Sequence, residues 1–111
     1  MRFAGVAAVA LSALALLGGA GSAAAATTVT VGNNFFSPTV KTVQRGAKVN
    51  FRWVGGELHH VVKSKGPGGE IKSPATAKRG VNLAKRFEKA GTYRFVCTFH
   101  PTEMRLKLTV R

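Results

Sequence analysis

The sequence predicts an all-β protein, a Greek-key antiparallel β-sandwich of about seven strands. Apolar and polar residues alternate in short runs, which is typical of strands with one buried face. Gly, Pro and Asn separate these runs, and no helical period of any length follows residue 26. The predicted domain, residues 27–111, has 111 − 26 = 85 residues, which suffices for one small sandwich core.

Residues 1–26 have the pattern of a signal peptide. Arg2 is the only charge before a run rich in Ala, Leu, Gly and Val, and the small residues from Ser22 to Ala26 offer cleavage sites. We expect cleavage near Ala26 and export to the periplasm or the extracellular medium. An uncleaved membrane anchor is the alternative, but the run is only weakly hydrophobic for a spanning helix.

The first half of the domain is predicted to contain four strands, at residues 27–31, 35–43, 48–53 and 59–63. The turn Gly32–Asn34 follows the first strand, and Pro38 makes the second irregular. Val49, Phe51 and Trp53 alternate with polar residues, so we expect them to face the core.

Residues 63–80 are predicted to form a long loop excursion with at most a helical turn, because this stretch is rich in Gly and Pro. Strands at 81–87, 92–97 and 104–110 complete the sheet pattern. Tyr93, Phe95 and Cys97 fall on one face of the second of these strands. Met104 begins an inward face of the last strand, which continues through Leu106.

The predicted mature domain is strongly basic. Without Arg2 it has 17 − 1 = 16 Lys and Arg residues against four acidic ones, a formal charge of 16 − 4 = +12. The positive electrostatic potential of such a domain favours encounter with an acidic partner protein or an anionic membrane surface. We do not expect nucleic-acid binding, because export removes the usual partner and no nucleic-acid motif is present. We expect a monomer.

One loop concentrates the groups that soft metals prefer. Cys97, His100 and Met104 bring a thiol, an imidazole and a thioether into eight residues between two predicted strands. A second His would complete the ligand set of a mononuclear type 1 copper centre. The ordinary alternatives are a buried Cys, a surface His or one half of a Cys/His catalytic pair, and a core Met.

The second His is His59 or His60. Adjacent strand residues point to opposite faces, so only one of the two can reach the metal. His59 shares its predicted face with the apolar Val61, which favours His59. Zinc would accept the same Cys and His donors, whereas a Met ligand favours copper.

Several sequence segments resemble those of the cupredoxin family of blue copper proteins, which includes plastocyanin, pseudoazurin and amicyanin. They are Phe36-Ser37-Pro38, Val49-Asn50-Phe51-Arg52-Trp53, Leu58-His59-His60-Val61-Val62, Gly91-Thr92-Tyr93-Arg94-Phe95-Val96-Cys97 and the Cys-x2-His-x3-Met loop. The resemblance covers nearly everything after residue 27. One departure is Leu106, at a position where the family commonly has Gly.

The resemblance implies a cupredoxin-like fold that binds one copper ion through His59, Cys97, His100 and Met104. His60 would take the place of a polar residue that ties the ligand loops together. The loop His of the family reaches solvent through an apolar patch, for which the candidates here are Phe36, Leu58, Phe99 and Pro101.

The implied function is that of a small exported carrier of single electrons, serving acidic redox partners. We do not expect an enzyme, because four protein ligands leave no open metal position and no base or nucleophile accompanies them. The alternative is an extracytoplasmic copper-binding or delivery protein without redox turnover. A third hypothesis is a basic secreted β-protein that acts at membranes or anionic polymers and keeps a vestigial site.

Overall fold

The structure, a computed structural model, describes residues 26–111, which form two packed four-stranded sheets. The strands are β1 (Thr27–Gly32), β2 (Phe35–Ser37), β3 (Val40–Val43), β4 (Ala47–Trp53), β5 (Val62–Lys65), β6 (Gly80–Phe87), β7 (Gly91–Val96) and β8 (Arg105–Val110). Sheet 1 has the order β2-β1-β4-β6, and sheet 2 has the order β3-β8-β7-β5. The predicted all-β sandwich is therefore confirmed.

The strand count differs from the prediction because the irregular second strand is in fact two strands. β2 pairs with β1 in sheet 1, whereas β3 pairs with β8 in sheet 2. The chain crosses between the sheets at Pro38 and Thr39. Pro38 has no backbone N–H to give to a ladder, so this is a natural position for the crossing.

The predicted antiparallel pairing is found between most neighbouring strands, but both sheets are mixed. β1 runs parallel to β4, and β3 runs parallel to β8. Parallel neighbours need a long crossover connection, and β2 and β3 supply it between β1 and β4. The alternation along a strand is the same in both arrangements, so it could not distinguish them.

The predicted inward faces are buried. Val49, Phe51 and Trp53 are at most 1% exposed, and Phe95 is 1% exposed. The ring of Phe51 contacts that of Phe95 across the two sheets, with centroids 5.4 Å apart. The edge-to-face pair of Phe87 with Tyr93 extends this aromatic core.

The strand predicted over residues 59–63 begins instead at Val62. Residues before Val62 leave sheet 2 and pair with the following loop, where the backbones of His59 and Thr76 exchange two hydrogen bonds of 3.0 Å. Ser73 N donates to Val61 O over 2.9 Å in the same stretch. The loop excursion therefore supports the residues before β5.

The predicted excursion is partly strand, because β5 extends through Lys65. Residues 26–111 contain no helix, so the helical turn considered for this stretch is absent and no described helix could span a membrane. Gly66 and Gly68 have positive φ values of 134° and 81°, outside the right-handed helical region. The backbone directly after β5 therefore forms a non-helical turn.

Candidate metal centre

The loop between β7 and β8 lies at one end of the sandwich and brings Cys97 next to Met104. Cys97 N donates to Met104 O over 3.1 Å, so the two residues extend the strand pairing by one step. His100 N donates to Cys97 O over 3.0 Å, and Met104 N donates to His100 O over 2.9 Å. Cys97 and Met104 are fully buried, as expected from the inward faces of their strands.

His59 reaches the same interior point from the segment between β4 and β5. Its side chain is fully buried, and its Nδ1 lies 3.8 Å from Cys97 Sγ. The backbone pairing with Thr76 holds His59, and Trp53 Nε1 donates to Thr76 O over 3.0 Å. The core tryptophan of β4 thus anchors the loop segment that supports this imidazole.

The electrostatic surroundings of His59 favour a neutral ring. Burial lowers the pKa of His59, and the nearby His100 lowers it further, while Glu57 opposes the shift. His59 Nε2 has no hydrogen-bond partner, and Glu57 Oε1 lies 3.9 Å away. A neutral imidazole keeps a lone pair on one nitrogen, as a metal ligand requires.

His100 lies between this interior and the surface. It is half-buried, and its ring centroid is 5.3 Å from that of His59. Leu58 and Phe99 nearby in the two loops are 50% and 46% exposed, and Pro101 is exposed as well. Phe36, considered for the same apolar patch, is only 1% exposed and belongs to the core.

These residues fit a single soft metal ion. Two donors at roughly 2.0–2.3 Å from one metal lie about 3.5–3.8 Å apart, which matches the separation of His59 Nδ1 and Cys97 Sγ. Counting only His, Cys, Asp and Glu, residues 26–111 contain no group of three already gathered for a metal. The fit therefore rests on the His59–Cys97 pair, with the His100 ring and the Met104 thioether available to complete the set.

Comparison with known proteins decides the family. The sequence matches the family of cupredoxin-like domains over residues 4–110. The chain belongs to the cupredoxin-like family. No curated protein matches the sequence.

The solved structures that resemble this cupredoxin include many forms of amicyanin. A reduced amicyanin variant with Tyr in place of Trp has 27% identity and a TM-score of 0.68, over 78% of this chain and 82% of that chain. A reduced variant with Phe in place of Pro has 30% identity and a TM-score of 0.66, with the same coverage. A Cu(I) variant with Ala in place of Met has 26% identity and a TM-score of 0.68, also over 78% and 82%. Together with the family match, these structures support a blue copper electron-transfer protein in general terms.

His60 turns to the opposite side from His59 in this cupredoxin. Thr98 N donates to His60 Nε2 over 3.3 Å, and the Thr98 hydroxyl also contacts Nε2. The His60 ring stacks on Phe99, with centroids 4.8 Å apart. Burial lowers the pKa of His60, and Lys72 lowers it further. His60 thus connects the segment before β5 to the loop after β7.

Ser73 is a supporting residue that the sequence analysis missed. It is 2% exposed, its Oγ accepts a hydrogen bond of 2.8 Å from Val61 N, and its hydroxyl donates to Pro74 O over 3.0 Å. A polar residue in an irregular loop carries no periodic signal, so its burial could not be inferred from the pattern. The only hint is the neighbouring Pro74, which restricts the backbone of Ser73.

Proposed function

We propose that this protein is an exported blue copper protein that carries single electrons between redox partners. Its mononuclear type 1 site would be formed by His59, Cys97, His100 and Met104. The observation that carries the proposal is the fully buried His59–Cys97 pair, with its donor atoms 3.8 Å apart, in a cupredoxin fold. A thiolate, two imidazoles and a thioether are the donors that such copper sites use.

Each of the four residues has a distinct part in the proposed site. Cys97 would act as the thiolate ligand. Its complete burial limits the access of oxidants in the solvent to the sulfur. His59 would bind through Nδ1, because this nitrogen faces Cys97. Met104 would act as the weak axial ligand, since thioethers bind at long distance in such sites.

Copper, when bound, would supply a one-electron couple between Cu(I) and Cu(II). The protein would keep its donors in place during that change, because His59, Cys97 and Met104 are buried and the loop from Cys97 to Met104 is hydrogen-bonded to itself. Four donors from the chain would also leave no open position for a substrate. We therefore propose a carrier and not an enzyme.

The partner would meet the protein at the exposed end of His100. Phe99 and Pro101 flank His100 in the sequence, and with Leu58 they would supply exposed apolar surface at this end. A small patch of this kind suits a brief encounter, as a carrier must release each partner. Export is proposed from the signal-peptide pattern of residues 1–26.

The first test is spectroscopic. Visible absorption and EPR spectra are recorded for the purified protein after loading with Cu(II), beside Cys97→Ser and the neighbouring control Thr98→Ala. The proposal predicts an intense blue band with narrow copper hyperfine splitting, which a reductant bleaches reversibly, and which only Cys97→Ser removes. Copper binding without that band in the wild-type protein would reject electron transfer and favour copper delivery.

A further inference from the structure

Three basic side chains form a row across the outer face of sheet 2, which we call the cation row: Lys65 on β5, Arg94 on β7 and Lys107 on β8. In the ladders, Arg94 is the partner of Lys107 on one side and of Lys65 on the other. Arg94 and Lys107 are paired in a regular ladder and so share one face of the sheet, whereas Lys65 follows a register shift in β5 that keeps it opposite Arg94. All three side chains are exposed. The three cations therefore lie side by side on adjacent strands.

This arrangement is electrostatically unfavourable in the isolated protein. Adjacent strands are about 4.8 Å apart, and like charges directly opposite each other destabilise a sheet. Within residues 26–111 no carboxylate forms a salt bridge with a Lys or Arg side chain, and the one contact of a carboxylate with a basic group is that of Glu57 with His59. No described carboxylate is therefore paired with the row. An anion bound from outside would relieve this repulsion.

A groove runs along the cation row on sheet 2 and is lined by residues of β3, β5, β7 and β8 and of the loop that precedes β8. Its volume is about 470 Å³, and its walls include Arg94, Arg105 and Lys107. Val40 and Pro101 supply apolar surface, and Val40 is 64% exposed. Glu103 is the one carboxylate among the residues that line it. The groove thus combines several positive charges with space for an apolar side chain.

We propose that the cation row and this groove dock an acidic segment of a protein partner. Carboxylates of the segment would lie on the row, and an apolar side chain beside them would enter the groove. A flat anionic membrane would neutralise the charges of the cation row but would leave the groove empty. The groove therefore favours a protein segment over a membrane. The identification of this partner as a redox protein rests on the proposed function, whereas the binding itself does not.

The position of the groove relates this docking face to the candidate metal centre. Pro101 and Glu103 line the groove and also belong to the loop between Cys97 and Met104. Arg105 Nε donates to Pro101 O over 2.7 Å, which fixes this part of the loop against the wall of the groove. A segment bound here would therefore contact Pro101 at the edge of the proposed apolar surface, whereas Leu58 and Phe99 do not line the groove.

The test compares two variants of equal charge. The row variant is Lys65→Gln, Arg94→Gln and Lys107→Gln, and the matched control is Lys48→Gln, Arg52→Gln and Arg86→Gln on the outer face of sheet 1. Each variant removes three exposed cations, from opposite faces of the sandwich. Binding of a fluorescein-labelled oligoglutamate peptide is measured by anisotropy at low salt, with phosphatidylcholine–phosphatidylserine vesicles as a second probe. Thermal unfolding establishes that both variants are folded.

We expect the row variant to weaken peptide binding about tenfold and the control variant by about twofold or less. Equal weakening by both variants would mean that binding follows net charge alone and would overturn the proposal. Binding to the vesicles that depends on the row, without such dependence for the peptide, would also overturn it in favour of a membrane. These results are independent of the copper spectrum, so either proposal can fail while the other stands.

Discussion

His59 Nδ1 lies 3.8 Å from Cys97 Sγ inside the protein, although the two residues are 38 positions apart in the sequence. His59 follows β4 of sheet 1, and Cys97 follows β7 of sheet 2. His59 also precedes β5, which is the partner of β7 in sheet 2, so the pair forms through this contact between distant parts of the chain. A metal that binds both side chains would stabilise the folded sandwich by mass action.

Substitution of His59 and of His60, one at a time, should show which histidine binds the metal and which one supports the site. We expect His59→Ala to abolish the blue copper band, because it removes the nitrogen that faces Cys97. We expect His60→Ala to keep the band with a shifted reduction potential, because His60 contacts Thr98 and Phe99 beside the site. Absorption spectra and cyclic voltammetry of the two loaded variants provide the measurement. The reverse pattern would assign the ligand to His60.

Met104→Leu should change the reduction potential of the copper-loaded protein more than its free energy of unfolding. The side chain is fully buried, and a swap of Met for Leu in a core usually costs less than about 1.5 kcal/mol. Removal of the weak axial sulfur should raise the reduction potential while the blue colour remains. Leu106→Met is the matched control, since Leu106 is 2% exposed on the same strand face. An equal change of potential in both variants would argue against a ligand role for Met104.

Ser73→Ala should destabilise the protein although Ser73 binds no metal. The substitution leaves the N–H of Val61 buried without its hydrogen-bond partner, which costs about 1–3 kcal/mol. Ser64→Ala is the control, because the exposed Ser64 hydroxyl contacts only Arg94 O at 3.3 Å. Its expected effect is within about 0.5 kcal/mol. Urea denaturation of the metal-free proteins measures both, and similar midpoints would contradict the structural role of Ser73.

The metal-free protein should lose stability as the pH falls below about 6.5. The pKa values of His59 and His60 are lowered from 6.5 in the folded protein, chiefly by burial. Below the unfolded value the unfolded chain binds more protons, so the free energy of unfolding decreases until the lowered folded pKa values are passed. Urea denaturation across roughly pH 5–8 measures this dependence. His59→Gln should make the free energy of unfolding less dependent on pH. An unchanged pH dependence would refute the contribution of His59.

The inward faces of the strands and the loop that carries three donors could be predicted from residue order alone. Alternation placed Val49, Phe51 and Trp53 in the core, and it predicted the burial of Cys97 and Met104 correctly. These features are local, because side-chain direction along a strand depends only on the period of two residues. For the same reason the all-β class could be inferred without any knowledge of strand partners.

The pairing of the strands and the support of His59 could not be predicted from the sequence, because both depend on contacts between distant segments. The parallel pairing of β1 with β4 joins segments whose alternation is compatible with either direction. The backbone of His59 pairs with Thr76 and not with β7, and the buried Ser73 lies in a stretch without any period. The cation row exists only because the register places Arg94 between Lys65 and Lys107. Each of these contacts joins distant parts of the chain, and register between distant strands is set by the packing of the whole sandwich.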